Sequence, residues 1–259
     1  GEMAKFIGEA DVIFCMDFNQ INRLDRVTDT VTANTTAVRV LIDHHLHPPV
    51  DGYAVQFSDT HACSTSYIVY QLLEALAGTD AIDQAMAESL YVGIMTDTGN
   101  FSFSSLTSDL FRAVAVLIDK GVNVPYVNSS VYNNFSEGRM RLLGYMLNDK
   151  MVTDYEFGVA YVSLTEEEMR RFDFIQGDSE GFVNYPLSIR GIRMSAMFIQ
   201  TKHSIRVSLR SRGEVDVNVF ARRYFDGGGH RNAAGGKSYV PMNETLENFR
   251  KYLREYFGA

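Results

Sequence analysis

Cysteine is scarce: the 259 residues hold only Cys15 and Cys63. Two thiols are too few for a disulfide framework and point to a reducing, cytoplasmic setting. Basic residues are also short, 24 Lys and Arg against 32 Asp and Glu, for a formal net charge of -8. That deficit excludes a protein that coats long duplex nucleic acid, because sequence-independent affinity comes from cations neutralising many phosphates. A small phosphorylated ligand stays compatible, since a local pocket of metal ions, arginines and backbone amides can hold one or two phosphates on an acidic protein. No apolar run reaches the length needed to cross a bilayer, so no membrane partner is expected. The opening GEMAKFIGEADVIF has no basic region followed by a long apolar stretch and a cleavage site. Internal repeats, low-complexity tracts and a Pro/Gly-rich tether are also missing.

What remains is the composition of an ordinary globular protein, 46% hydrophobic and 22% charged, at a length that suits two compact domains. The first half alternates apolar runs with helical patterns, which predicts α/β structure around a largely parallel sheet flanked by helices. Asp11 to Asp17 reads as a short buried strand ending in a carboxylate, and Ala37 to Asp43 as another that runs directly into His44 and His45. In open α/β sheets ligands sit outside the carboxyl ends of strands, so chemistry is expected there. Helices are expected over Ser64 to Ala77 and from about Ile82 toward Thr96. In the second of these Ile82, Met86, Leu90, Gly93 and Ile94 form one stripe that Asp97 continues. Further helices are read over Ser108 to Lys120 and Glu137 to Asn148, with a polar linker near Asn128 to Ser136.

The second half predicts a smaller α/β domain. Phe157 to Leu164 is a strand, and Thr165 and Glu168 have the spacing of a helix capping box. Met194 to Ile199 and Ile205 to Leu209 are strands around a tight turn at Lys202 to Ser204. A helix at Val217 to Tyr224, a glycine loop from Gly227 to His230, a short strand near Tyr239 and a final helix from Asn243 follow.

Two constellations carry chemistry. Asp17, the triplet Asp43-His44-His45, and Asp97 all lie at ends of apolar segments. Hard oxygen ligands mixed with imidazole suit a divalent ion, and Mn2+ or Mg2+ is favoured over zinc because no thiolate pair is available. Each acid alone reads equally well as a cap or turn; several converging acids are costly to bury without a cation. The second set is Gly227 to Gly236, where glycines let backbone amides approach a phosphate, with His230 and Arg231 supplying charge. Arg210 and Ser211 at a strand end strengthen the phosphate reading, because a guanidinium can grip phosphate oxygens with two donors.

Together these strings resemble the DHH phosphoesterase superfamily, in its branch of nano-RNases and nucleotide phosphatases related to RecJ. The likeness rests on Phe14 to Asp17, Asp43-His44-His45, Met95 to Phe101, Val207 to Ser211 and Gly228 to Gly235. It implies a DHH domain over 1–128, a linker and helix over 129–150, and a DHH-associated substrate-binding domain over 151–259. It further implies that Asp17 bridges two Mn2+ ions, with Mg2+ an alternative, and that His44 and Asp97 are further ligands. His45 would contact the phosphate, and Asp43 would orient a histidine. Arg210, Ser211, Gly228, Gly229, His230 and Arg231 would bind the far end of the substrate across the cleft between the domains. The implied activity is hydrolysis of short oligoribonucleotides, linear dinucleotides or 3′-phosphoadenosine 5′-phosphate to mononucleotides. The competing readings are a pyrophosphatase or exopolyphosphatase and a nucleotide-binding module without turnover. The family's opening His-x-x-x-Asp-x-Asp string does not occur. A truncated parent is therefore expected, with catalysis resting on that missing motif and an unpaired edge in the first sheet open to other chains, a homodimer included.

Overall fold

The computed structural model describes residues 2–102 and 105–258, Asp25 by its backbone alone. The chain divides between Asn133 and Asn134 into two compact units. The first holds α1 (Glu2–Glu9), β1 (Val12–Met16), α2 (Thr28–Ala33), β2 (Val38–Asp43), β3 (Val55–Ser58), α3 (Thr65–Ala77), α4 (Gln84–Asp97), α5 (Ser108–Asp119) and α6 (Val124–Tyr132). The second holds α7 (Glu137–Tyr145), β4 (Val152–Asp154), β5 (Val159–Leu164), α8 (Glu166–Arg170), β6 (Met194–Gln200), β7 (Ile205–Ser211), α9 (Val217–Tyr224), β8 (Gly228–His230), β9 (Ala233–Ser238) and α10 (Met242–Phe257). Residues 129–150, read from sequence as linker and helix, hold the end of α6, all of α7 and a π-turn over Met146–Lys150. No described helix is long and apolar enough to cross a membrane.

In the first unit β1, β2 and β3 form a parallel sheet in that order, with Met16 beside Ile42 and Asp43 beside Ser58. The register brings the carboxyl ends of β1 and β2 together, where both strands give way to polar residues. β1 is less buried than its apolar sequence suggests: only Cys15 is buried, and Phe14 is 62% exposed. The cause is position. β1 lies at the sheet edge, while Val40 and Ile42 of β2 are the residues that pack against Ala62 and Ile68 of the α3 segment. β3, α1, α2 and α6 are elements the sequence reading did not name. For α6 a signal was present, Asn123 as N-cap followed by Pro125 in the first turn.

Helices α3 to α6 share the main core of this unit, in which Ile94, Met95, Leu110 and Leu117 are fully buried. α3 starts where Ser64 Oγ accepts the Tyr67 amide, and α4 where Asp83 accepts that of Met86. The stripe expected on α4 is displaced. Met86 is exposed, and the buried face is Ala87, Leu90, Tyr91, Ile94 and Met95. Successive helical residues lie about 100° apart, so a face centred on Ala87 and Tyr91 carries Met86 out to solvent. Gly93 allows α3 and α4 to approach closely: a Cβ there would stand 2.7 Å from Ser66 Cβ.

The second unit has a mixed sheet in the order β4-β5-β6-β7-β9-β8, parallel only between β5 and β6. One face packs Phe198 against Phe249 of α10, which in turn meets Phe220 of α9. The other packs Val162 and Met197 against Leu142, Met146 and Phe182. The expected capping box forms: Thr165 Oγ1 accepts the Glu168 amide at 3.2 Å and Glu168 Oε2 accepts the Thr165 amide at 2.8 Å. Tyr145 and Lys150 also donate to Glu168 Oε1. Burial alone would push the Glu168 carboxyl up; the donors, Lys150 first, outweigh it and hold the pKa at about 2.

Two outcomes are expected. Gly93→Ala forces Ser66 and its helix aside and costs about 1–3 kcal/mol in denaturant unfolding. Glu168, with a folded pKa below its ordinary 4.5, contributes stability that is present above pH 4.5 and lost as pH falls toward 2. Glu168→Gln is therefore less stable than the parent at pH 7, by about 1–3 kcal/mol, and loses less stability than the parent on acidification through that window. Denaturant melts at pH 7, 4 and 2.5 measure both effects.

Candidate functional site

β1 extends its ladder one residue further, the Asp17 amide donating to the Ile42 carbonyl at 3.1 Å. Asp17 then turns the chain with φ +64°, a left-handed conformation that Asp tolerates better than most residues. Its side chain is 58% exposed, and Thr65 Oγ1 donates to its Oδ1 at 3.0 Å. Two residues on, Asn19 Nδ2 donates to the Leu46 carbonyl at 2.8 Å and ties this turn to the loop that follows β2.

Asp43 closes β2 and is fully buried. Its oxygens face the second histidine of the triplet: Oδ1 lies 2.7 Å from His45 Nδ1 and Oδ2 accepts the His45 amide at 3.2 Å. A carboxylate accepts, so the proton on this side of the His45 ring sits on Nδ1. His44 is oriented by backbone instead. Its Nδ1 lies 3.2 Å from the Ala62 carbonyl, which also only accepts, so Nδ1 is the protonated nitrogen and Nε2 is the one turned to the acids. Nε2 stands 3.6 Å from Asp17 Oδ1 and 3.8 Å from Asp97 Oδ2.

Asp97 is the last residue of α4, its side chain 39% exposed at the rim of the helical core. Burial and the Asp17 charge push its carboxyl above the usual range, while His44 and His45 pull it back. A carboxylate at a helix C-terminus also meets the negative end of the helix dipole. A cation between Asp97 and Asp17 offsets the influences that raise the Asp97 carboxyl. The ligand atoms of Asp17, His44 and Asp97 lie within 4.8 Å of one another, as do those of Asp17, Asp43 and His45. Gaps of 3.6 and 3.8 Å are long for hydrogen bonds. They match two ligands of one cation, because bonds of about 2.1 Å at right angles or wider hold their outer atoms about 3 Å or more apart. The donor set therefore fits a divalent ion.

In the second unit the expected phosphate binders fall into different settings. Arg210 lies on β7 between Ser195 and Ala233, donates from Nη1 to the Leu209 carbonyl, and is buried enough to lower its pKa, with Glu180 opposing. It remains a cation at any physiological pH. Ser211 is buried and its hydrogen goes to the Val215 carbonyl at 2.6 Å, while its oxygen accepts from Asn232. Arg231 is paired with Glu214 at 2.6 Å. The glycine run is a β-hairpin, β8 and β9, in place of a loop: Gly228 pairs with Gly235, Gly229 with Ala234 and His230 with Ala233. The short strand read near Tyr239 is β9, which ends at Ser238. A Cβ on Gly227 would stand 2.7 Å from Gly236 Cα, and one on Gly229 2.7 Å from Ala234 Cα. Asn218 Oδ1 accepts the Gly229 amide at 3.0 Å. The glycines thus let the hairpin fold flat on itself, and His230 ends β8 half-buried.

Sequence reading found Asp17, Asp43, His44, His45 and Asp97 but not Asn19, the Ala62 carbonyl or Thr65. Asn19 was within reach, as a polar residue in the turn after Asp17; the other two had no local signal.

Residues 2–94 match the DHH family, N-terminal domain, and residues 155–259 match the DHHA1 domain. The bifunctional oligoribonuclease and PAP phosphatase NrnA of Bacillus subtilis is 31% identical over 233 residues, spanning 88% of this chain and 70% of that protein. The cyclic-di-AMP phosphodiesterase GdpP of the same organism is 28% identical over 227 residues, 84% of this chain and 32% of that protein. The crystal structure of an exopolyphosphatase-related protein from Bacteroides fragilis has a TM-score of 0.92 at 40% identity, covering 98% of this chain and 74% of that one. With Asp17 and the Asp43-His44-His45 triplet inside the first matched segment, the chain belongs to the DHH family of phosphoesterases and carries a DHHA1 domain.

Proposed function

We propose that the chain supplies the metal- and substrate-binding residues of an enzyme that hydrolyses short single-stranded oligoribonucleotides, linear dinucleotides or 3′-phosphoadenosine 5′-phosphate to mononucleotides with the help of Mn2+, turnover requiring in addition the family's His-x-x-x-Asp-x-Asp motif, which this sequence does not contain. The observation that carries the metal part is the turning of His44 Nε2 toward Asp17 and Asp97, at 3.6 and 3.8 Å, by the Ala62 carbonyl. Carboxylate oxygen and imidazole nitrogen are a donor set for Mn2+, and Mg2+ is the alternative for the same oxygens. The ion would supply Lewis-acid stabilisation of charge on the phosphoryl oxygens. Asp17, His44 and Asp97 are the residues proposed to hold it.

The chain's own groups do the rest of the work. Asp43 fixes the His45 ring through Nδ1, so Nε2 is the nitrogen proposed to meet a phosphate oxygen. In the second unit Arg210 is the leading candidate for a substrate phosphate, because even a half-buried guanidinium loses hydration that an anion compensates. Gly228, Gly229, His230 and Arg231 belong to the proposed substrate-binding surface of that unit. Ser211 serves it indirectly by holding Asn232 and the end of β7. The nucleotide reading is supported by relatives named for oligoribonuclease and PAP phosphatase activity. A polyphosphate substrate is the second reading, favoured by the name of the Bacteroides fragilis protein at 40% identity.

Incubation of a form that also carries the family's His-x-x-x-Asp-x-Asp segment with Mn2+ and a 5′-phosphorylated linear dinucleotide, 3′-phosphoadenosine 5′-phosphate or inorganic polyphosphate separates these readings. Mononucleotide release is expected, falling by about 100-fold or more in His45→Ala and abolished in His44→Ala. Phosphate release from polyphosphate alone moves the assignment to the second reading. Binding of the dinucleotide without cleavage identifies a nucleotide-binding module and overturns the proposal.

A further inference from the structure

We propose that Thr65 is a positioning residue whose hydroxyl aims the Asp17 carboxylate, an inference that rests on the reading of Asp17 as a metal ligand. Asp17 is poorly restrained by its own surroundings. It follows the last residue of an edge strand, bends away in a left-handed conformation and has a side chain more than half exposed. An exposed carboxylate of this kind samples several rotamers, and ordering it on binding an ion costs entropy. Thr65 supplies the restraint. Its Oγ1 lies 3.0 Å from Asp17 Oδ1, the oxygen that also faces His44 Nε2. A carboxylate oxygen has two lone pairs, so accepting from Thr65 leaves one for an ion.

The donor is well placed to be rigid. Thr65 is 5% exposed, β-branched and therefore stiff at χ1, and sits on the first residue of a 13-residue helix. Its hydroxyl is not needed to start that helix, because Ser64 caps it by accepting the Tyr67 amide at 3.0 Å. Three residues earlier the Ala62 carbonyl takes His44 Nδ1. One short segment, residues 62–65, thereby orients two of the three proposed ligands, and it is anchored to α4, which carries the third, through the close approach at Gly93.

The test compares Thr65→Val, which keeps the shape and removes the donor, with Thr65→Ser, which keeps the donor. Mn2+ binding to each is followed by the loss of the free-ion EPR signal, beside thermal melts without metal, and the same changes are made in an Asp17→Asn background. Thr65→Val is expected to weaken Mn2+ binding by about tenfold, Thr65→Ser to bind like the parent, and Thr65→Val to have no further effect when Asp17 is already Asn. A purely structural role would shift the melts and leave Mn2+ affinity where it was. The inference is overturned if Thr65→Val binds as the parent does, if Thr65→Ser is as impaired as Thr65→Val, or if the loss persists in the Asp17→Asn background. Should valine unfold the chain, Thr65→Ala against Thr65→Ser makes the same comparison. Binding that is absent from the parent or indifferent to Asp17→Asn overturns the metal-site reading itself, a result distinct from an Asp17-dependent site that ignores Thr65.

Discussion

Two carboxylates that face the same imidazole nitrogen repel each other, and the first unit is organised around holding them there. Asp17 arrives on a parallel strand and leaves it in a left-handed turn; Asp97 arrives at the wrong end of a helix for an anion. Partial burial and then the Asp17 charge raise the Asp97 carboxyl, against the pull of His44 and His45. Such an arrangement costs free energy in an empty protein and returns it when a cation is bound. Strain of this kind, kept up by surrounding structure, is what a preorganised binding site stores.

The surrounding structure is correspondingly specific. The two histidines of the triplet are adjacent in sequence, yet each is oriented by a different partner, a backbone carbonyl for His44 and a buried carboxylate for His45. In each ring the partner takes Nδ1 and turns Nε2 away from it. The helix pair α3 and α4 keeps the orienting segment and the third acid in register, which is why a missing side chain at Gly93 matters to chemistry some residues away. In the second unit the glycines serve close packing of a hairpin.

Much of this was legible in the sequence because the informative residues are local strings at element ends. Asp17 follows an apolar run of strand length, Asp43-His44-His45 terminates another, and Asp97 ends a helix whose period is visible. The parallel sheet and the capping box at Thr165 followed from the same kind of short-range pattern. What was not legible depends on distance along the chain. The hydrogen bond from Thr65 to Asp17 spans 48 residues and that between His44 and Ala62 spans 18; neither leaves a periodicity. Edge position was also hidden, since Phe14 has the sequence context of a buried strand residue and gains exposure only from where β1 lies in the sheet. The hairpin at the glycine run was hidden for a related reason: a glycine loop and a closely packed glycine hairpin use the same residues, and the pairing of Gly228 to His230 with Ala233 to Gly235 appears only in the fold.

The central claim, one divalent ion shared by Asp17, His44 and Asp97, is tested most directly by diffraction from crystals soaked in Mn2+ and measured at the manganese absorption edge. The expected result is an anomalous peak about 2.2 Å from His44 Nε2 and from one oxygen each of Asp17 and Asp97. Manganese bound elsewhere in crystals where those three side chains keep their places without an ion would contradict it.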